Sequence, residues 1–205
     1  QKLAFRVREE GEARLEVIAQ APRGFRWVHA NGVERNPPPP DLAVIAFELN
    51  QLGAAERSPV SAKKDVEGGF AGAPGVEAVV GVEPELAGDA HASFQRGEIV
   101  EFDLQQTRQT MADGMRATRI GTRNFHHMQA FVDDMVVVTE EEITEAIRRI
   151  TLDAGLVVEP SGAVAAAAWL FHRDQLPATD YAVAFVSGGN VDPMVLVDIL
   201  KTGDK

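Results

Sequence analysis

The pattern of apolar and polar residues along the second half of the chain predicts strands that alternate with helices. The apolar run over 76–84 predicts a strand that ends at a proline, and a short helix is expected within 86–95. Residues 136–139 and 181–186 predict two further strands. Strands that alternate with helices indicate an α/β fold, with a mostly parallel twisted sheet flanked by helices.

Helix start and stop signals support this pattern. Thr139 followed by Glu142 forms a capping box, and the helix that it opens ends at a glycine. The apolar residues of that helix fall on one face: Ile143, Ala146, Ile147, Ile150 and Ala154. Ser161 is expected to cap an alanine-rich helix over 162–172, and Asp192, followed by a proline, to cap the last helix.

The first 75 residues carry weaker signals. Residues 8–20 predict a helix with a thin apolar stripe, 25–28 a short strand, and 42–53 a second helix. Four consecutive prolines at 37–40 favour a stiff extended spacer. No period emerges over 54–74.

Composition and charge narrow the class of protein. The chain has 205 residues, of which 45% are hydrophobic and 25% charged, as in globular domains. Its net charge of -11 makes nucleic acids and anionic membranes improbable partners. The absence of cysteine excludes disulfides and thiolate metal sites. No signal peptide or membrane-spanning run is seen, so a cytoplasmic protein is expected. The first residue is Gln1 in place of Met, which indicates a longer reading frame or processing.

The sequence Ser187-Gly188-Gly189-Asn190 follows the predicted strand 181–186 and has the features of a ligand-binding turn. Open α/β sheets bind ligands at the carboxyl ends of their strands. Glycines at that edge let a flat ring approach the backbone, and Ser187 offers one hydroxyl to it. An ordinary turn without a ligand is the alternative interpretation.

Three motifs occur in order: Gly-Val-Glu-Pro at 81–84, Val-Val-Glu-Pro-Ser-Gly-Ala at 157–163 and Val-Ser-Gly-Gly-Asn-Val-Asp at 186–192. Together with Ala-Asp-Gly at 112–114, they resemble the large domain of threonine dehydratases and serine racemases. These are fold-type II (tryptophan synthase β-like) enzymes that use pyridoxal 5'-phosphate. The resemblance runs from about Val76 to Leu200 and includes the spacing between motifs.

The resemblance implies a cofactor site. Ser187 would hydrogen-bond the pyridine nitrogen, Gly188 and Gly189 would admit the ring, and Glu159 would lie beside it. Asn190 belongs to the same cofactor-binding turn. Chemistry of this kind suits loss of a β-hydroxyl from serine or threonine. For Glu159, a carboxylate that merely caps a turn before a proline remains open.

The resemblance also implies a divalent cation. Glu83, Ala87 and Asp89 fall where related racemases and dehydratases bind Mg²⁺ or Ca²⁺, and carboxylate and carbonyl oxygens are suitable ligands. Two solvated acids in an acidic chain are the alternative.

Two parts of the family pattern are missing. The Schiff-base lysine has no counterpart, because Lys63 and Lys64 stand in the wrong context, so no catalytic residue is expected in this chain. The phosphate-binding glycine loop is also absent from its usual place; either Gly68 and Gly69 serve in a shifted register or the phosphate site is lost. Residues 31–74 are diverged or frame-disturbed relative to the family.

The sequence therefore predicts a diverged segment with a proline-rich linker over 1–40 and a partial pyridoxal-phosphate-binding large domain over 41–205. The expected reaction is that of a threonine or serine dehydratase, an ammonia-lyase, with activity dependent on a lysine-bearing half. The alternative is a non-catalytic remnant that acts as a binding or oligomerisation module. The chain is expected to be a homo-oligomer or only marginally stable by itself, because one sheet edge and the helix face of Ile143, Ile147 and Ile150 would lack a cover.

Overall fold

The structure is a computed structural model, which describes residues 2–8, 14–19, 42–45, 76–178 and 181–201. Within these ranges the strands form one six-stranded sheet. The strands are β1 (Lys2–Arg8), β2 (Arg14–Ala19), β3 (Leu42–Ile45), β4 (Val76–Pro84), β5 (Asp134–Val138) and β6 (Tyr181–Ser187). Their order in the sheet is β2-β1-β6-β3-β4-β5.

Helices connect and cover the strands of the second half. The α-helices are α1 (Asp89–Arg96), α2 (Leu104–Thr107), α3 (Thr122–Phe131), α4 (Glu140–Ala154), α5 (Pro160–Phe171) and α6 (Pro193–Lys201). Short 3-10 helices lie at Glu85–Ala87, Asp113–Met115 and Arg173–Gln175.

The direction of the strands decides where a ligand can bind. Strand β3 pairs in parallel with both β6 and β4, and β4 pairs in parallel with β5. The carboxyl ends of these four strands therefore meet at one edge of the sheet. Strand β1 runs antiparallel to β6 on one side and to β2 on the other. The α/β architecture expected from the sequence is confirmed, with an antiparallel extension beside β6.

Helix α4 forms as the sequence predicts. The Thr139 hydroxyl accepts a hydrogen bond from the Glu142 N–H at 3.2 Å, and the Thr139 N–H donates to the Glu142 carboxylate at 2.8 Å. The helix ends at Gly155, whose φ of 65° is left-handed. The expectation of an uncovered helix face is wrong, because Ile143, Ile147 and Ile150 are at most 1% exposed. They pack in the core together with residues of α5 and the sheet.

Two predictions for the first part of the chain are wrong. In place of the helix expected over 8–20, Arg14–Ala19 is a strand that pairs with β1. In place of the helix expected from residue 42, Leu42–Ile45 is a strand. A short apolar run fits either structure, and here the segment pairs between β4 and β6. The remaining predictions before residue 76, including the strand at 25–28 and the proline spacer, lie outside the described residues.

Helix α5 forms the layer directly against the sheet at the candidate site. It packs on β6 and on α4, and its alanine side chains are buried. At Gly162 the helix lies so close to β6 that an added Cβ would overlap the carbonyl oxygen of Ser187. The small residue at this position therefore sets how near the start of α5 lies to the end of β6.

In the described parts of the chain, no helix is both long and apolar enough to cross a lipid bilayer.

Candidate functional site

The Ser187–Asn190 turn lies at the carboxyl end of β6, as expected. Gly188 has a φ of 78°, a left-handed conformation that glycine adopts without strain. Gly188, Gly189 and Asn190 are exposed, whereas Ser187 is half-buried. The Asp192 carboxylate accepts a hydrogen bond from the Met194 N–H at 2.7 Å and so caps α6 directly after the turn.

Glu159 is held against this turn. It occupies the N-cap position of α5, but its side chain makes no capping hydrogen bond. Its carboxylate instead accepts a hydrogen bond from the Asn190 N–H at 3.0 Å, and its own N–H donates to the Gly188 carbonyl at 3.3 Å. A Cβ at Gly188 would overlap the Glu159 carboxylate. The structure thus brings Glu159 and Gly188–Asn190 together, and the carboxylate does not serve as a helix cap.

A second glycine turn reaches the same helix start. The buried Ser161 hydroxyl accepts a hydrogen bond from the Gly114 N–H at 2.9 Å. The expectation that Ser161 caps α5 is therefore wrong: the helix begins at Pro160, and the hydroxyl is used for a contact across 47 positions of sequence. Apart from the occurrence of both motifs, nothing in the sequence signals this pairing, since hydroxyl contacts over long separations have no periodic pattern.

The turn that contains Asp113 and Gly114 has another attachment. The Met111 N–H donates a hydrogen bond of 2.6 Å to the carboxylate of Glu140, which lies just beyond the carboxyl end of β5. Within the turn, the Arg116 guanidinium donates two hydrogen bonds to the Thr110 carbonyl, at 3.0 and 2.7 Å. Asp113 and Gly114 themselves are exposed. This turn therefore lies at the same edge of the sheet as Gly188–Asn190.

Glu83 and Asp89 form a buried pair of acids at the end of β4. Their residues are 6% and 3% exposed, respectively, so they are not the solvated acids of the alternative interpretation. The Glu83 carboxylate accepts a hydrogen bond from the His91 N–H at 2.7 Å. Burial, followed by the charge of Asp89, raises the pKa of Glu83 well above its ordinary value, and burial raises the pKa of Asp89 to about 7.

Ala87, the third expected metal ligand, is fully buried in the 3-10 helix between these two acids. In the part of the chain that the structure describes, no group of three or more histidine, cysteine or acidic side chains could hold a metal ion. Strand β3 separates β4 from β6, which places the acidic pair about 10 Å from the Ser187 turn across the sheet. Gly68, Gly69, Lys63 and Lys64 lie outside the described residues.

Comparison with known proteins identifies a family. The sequence profile described as "Pyridoxal-phosphate dependent enzyme" matches residues 68–188. A serine racemase from Schizosaccharomyces pombe is 36% identical over 120 residues, which are 58% of this chain and 36% of that protein. An L-threonine ammonia-lyase from Geobacter sulfurreducens is 35% identical over 125 residues, which are 61% of this chain and 30% of that protein. The chain thus matches about a third of the length of these relatives.

Comparison of the fold with solved structures also finds a relative of this kind. A threonine deaminase from T.th., known from a crystal structure, shares 31% sequence identity with this chain. The two superpose with a TM-score of 0.53 over 74% of this chain and 50% of the deaminase chain. The likeness therefore extends beyond single motifs to the arrangement of strands and helices.

Proposed function

Because the chain belongs to the pyridoxal-phosphate dependent enzyme family, we propose that it contributes the ring-binding part of an ammonia-lyase for serine or threonine. Its relatives are ammonia-lyases and racemases of amino acids. The proposed reaction removes water from a hydroxy amino acid and yields a 2-oxo acid and ammonia.

The observation that carries this proposal is the contact between Glu159 and the Gly188–Asn190 turn. The backbone of Gly188–Asn190 is exposed to an approaching ring, and a side chain at Gly188 would overlap the Glu159 carboxylate. Ser187 is the last residue of β6 and directly precedes this turn. These residues fit pyridoxal 5'-phosphate, and Ser187 would hold its pyridine nitrogen.

The bound cofactor would supply an electron sink for the α-carbon of the amino acid. The chain's own contribution would be to position the cofactor ring and to set its strength as an electron sink. A hydroxyl at the pyridine nitrogen does not protonate it as a carboxylic acid would, so the sink stays moderate and elimination of the β-hydroxyl is favoured over other outcomes. Glu159 holds the turn through the Asn190 N–H. The Ser187 motif is common to ammonia-lyases and racemases of this family, so the choice of an ammonia-lyase is part of the proposal and follows the ammonia-lyases among the relatives.

We propose a phosphate-binding role for this chain, but no covalent attachment of the cofactor to it. We infer that Gly68 and Gly69 serve as a phosphate loop in a shifted register, since the family match begins at residue 68. Lys63 and Lys64 precede the matched region and are not expected to attach the cofactor. Turnover would then require a lysine from another stretch of protein.

The buried acids support a proposed cation site formed by Glu83, Asp89 and the Ala87 carbonyl. Two adjacent buried carboxylates repel each other unless a proton or a cation lies between them. Millimolar Ca²⁺ or Mg²⁺ is expected to raise the melting temperature of the wild-type chain at pH 8 and not that of Glu83→Gln. An equal rise in both proteins would exclude this site.

Self-association is also part of the proposal. Helix α6 exposes Met194, Val195 and Val197 by 66%, 42% and 40%, and neighbouring exposed apolar side chains of this kind favour association. Light scattering is expected to give at least a dimer; a monomer at all concentrations up to about 100 μM would rule out association of useful strength.

The proposal is tested by retention of pyridoxal 5'-phosphate in equilibrium dialysis. The chain is expected to retain the cofactor reversibly, and Ser187→Ala to weaken retention by up to about tenfold, the effect of one hydrogen bond. Borohydride treatment should leave no cofactor on Lys63 or Lys64. Retention that is unchanged in Ser187→Ala, or no retention at all, would refute the ring site and favour a non-catalytic binding or oligomerisation module.

A further inference from the structure

We infer that Ser161 is a positioning residue that couples the Asp113–Gly114 turn to the Gly188–Asn190 turn, so that the two turns form one rigid wall of the site. The inference rests on the proposed function for its consequence in binding, but it concerns a mechanical link that is present without any ligand.

The link passes through four consecutive residues at the start of α5. Glu159 holds the Asn190 N–H and the Gly188 carbonyl. Gly162 lies against the Ser187 carbonyl so closely that no side chain fits. Ser161, between them, holds the Gly114 N–H at 2.9 Å.

These residues cannot move independently. The proline ring of Pro160 fixes the φ angle of that residue. The Gly162 N–H donates a hydrogen bond of 2.9 Å to the Glu159 carbonyl, and this bond closes the first helical turn around Ser161. A shift of Ser161 therefore shifts the residues on both sides of it.

The Asp113–Gly114 turn is attached to two different parts of the sheet edge. The Met111 N–H binds Glu140, which follows β5, whereas the Gly114 N–H binds Ser161, which stands beside the end of β6. Removal of the Ser161 hydroxyl takes away the acceptor on the β6 side while Met111 stays attached on the β5 side. The turn would then lose this hydrogen bond to the start of α5, which helps to position it relative to Gly188, while Met111 and the buried side chains of Ala112 and Met115 keep it on the core.

The test is residue-resolved amide hydrogen exchange of the ligand-free chain by NMR. Ser161→Ala is expected to speed exchange about tenfold at Gly114 and about threefold at Asn190, since both amides lose protection when the start of α5 is held less firmly. Ser161→Thr keeps the acceptor and should restore both rates. Glu159→Ala should produce the reciprocal effect, with faster exchange at Gly114, to which the Glu159 side chain makes no direct hydrogen bond.

Ser93→Ala is the matched control. Ser93 is also fully buried, and its hydroxyl accepts a hydrogen bond from the Val100 N–H at 2.9 Å. It should raise exchange near Val100 and leave Gly114 and Asn190 unchanged, so it separates coupling from a general loss of stability.

Faster exchange at Gly114 alone in Ser161→Ala, with Asn190 unchanged, would overturn the inference, as would an unchanged rate at Gly114. If Ser161→Ala fails to fold, the reciprocal effect of Glu159→Ala decides. Because no cofactor is used, loss of coupling leaves the proposed function standing, and intact coupling without cofactor retention counts against the proposed function alone.

Discussion

At the scale of single residues, Gly162 controls the spacing between α5 and the sheet. Glycine within a helix is ordinarily less stable than alanine by about 1 kcal/mol. Here the order is expected to reverse, because a Cβ would overlap the backbone carbonyl of Ser187, which cannot move as a flexible side chain could.

Gly162→Ala should lower the free energy of unfolding by about 3 kcal/mol, at the upper end of the usual cost of overpacking. Gly121→Ala is the control, since its Cβ would meet only the Asn124 side chain at 3.9 Å. Urea unfolding measures both; a Gly162→Ala protein as stable as the wild type would show that α5 does not lie this close to β6.

Gly188 and Gly155 allow backbone strain to be separated from the contact with Glu159. Both have positive φ, 78° and 65°, but a Cβ at Gly155 meets nothing within 4 Å. Alanine at either position should cost about 1–2 kcal/mol through the left-handed backbone. Only Gly188→Ala should also displace the Glu159 carboxylate and speed amide exchange at Asn190. Equal exchange at Asn190 in the two variants would contradict the contact.

Some residues of the candidate site could be identified from the sequence, and others could not. Glu159 and the Ser187–Asn190 turn carry family motifs, and the structure brings them together. The Ser161–Gly114 contact joins residues 47 positions apart, and local rules favoured a helix cap for Ser161 instead. A hydroxyl has several equally good partners, so tertiary packing rather than local sequence selects one.

At the scale of secondary-structure elements, the start of α4 provides a pH-dependent test. Burial alone would raise the pKa of Glu142, but hydrogen bonds from His172 and Thr139 outweigh burial and hold its pKa below the ordinary value of 4.5. A depressed folded-state pKa means that the carboxylate stabilises the fold above pH 4.5, and that this contribution is lost as the pH falls through the folded-state pKa.

Glu142→Gln should therefore be less stable than the wild type at pH 7, by about 1 kcal/mol, and the difference should shrink towards pH 3. Glu141→Gln removes an equal charge from an exposed position of the same helical turn and should change stability by only about 0.3 kcal/mol. Thermal unfolding from pH 3 to pH 7 measures this; a difference that stays constant with pH would refute the role of the carboxylate.

The elements themselves were predictable where the sequence carries several signals at once. Helix α4 has a capping box, an apolar face and a terminal glycine, and all three agree. Strands β2 and β3 were misassigned because their segments are short, and their structure depends on pairing with other strands. Pairing partners are not encoded in a local window.

At the scale of the whole molecule, the four parallel strands gather the candidate site at one edge of the sheet. The turn after β6, the acidic pair at the end of β4 and the Glu140 carboxylate after β5 all lie there. Alternation of strands and helices was enough to predict this edge, because the ends of parallel strands must coincide. The antiparallel pair β1 and β2 was not predicted, since their segments were assigned no strand.

The central claim is that the Gly188–Asn190 turn receives the ring of pyridoxal 5'-phosphate. It is tested most directly by titrating the ¹⁵N-labelled chain with the cofactor and following the backbone amide signals. If the turn receives the ring, saturable shifts are expected at Gly188, Gly189 and Asn190, with the amides of Gly97 and Gly155 unmoved as internal controls. The shifts should be lost in Gly188→Ala but not in Gly155→Ala. Cofactor binding that leaves the turn's signals in place, or no shift at millimolar cofactor, would contradict it.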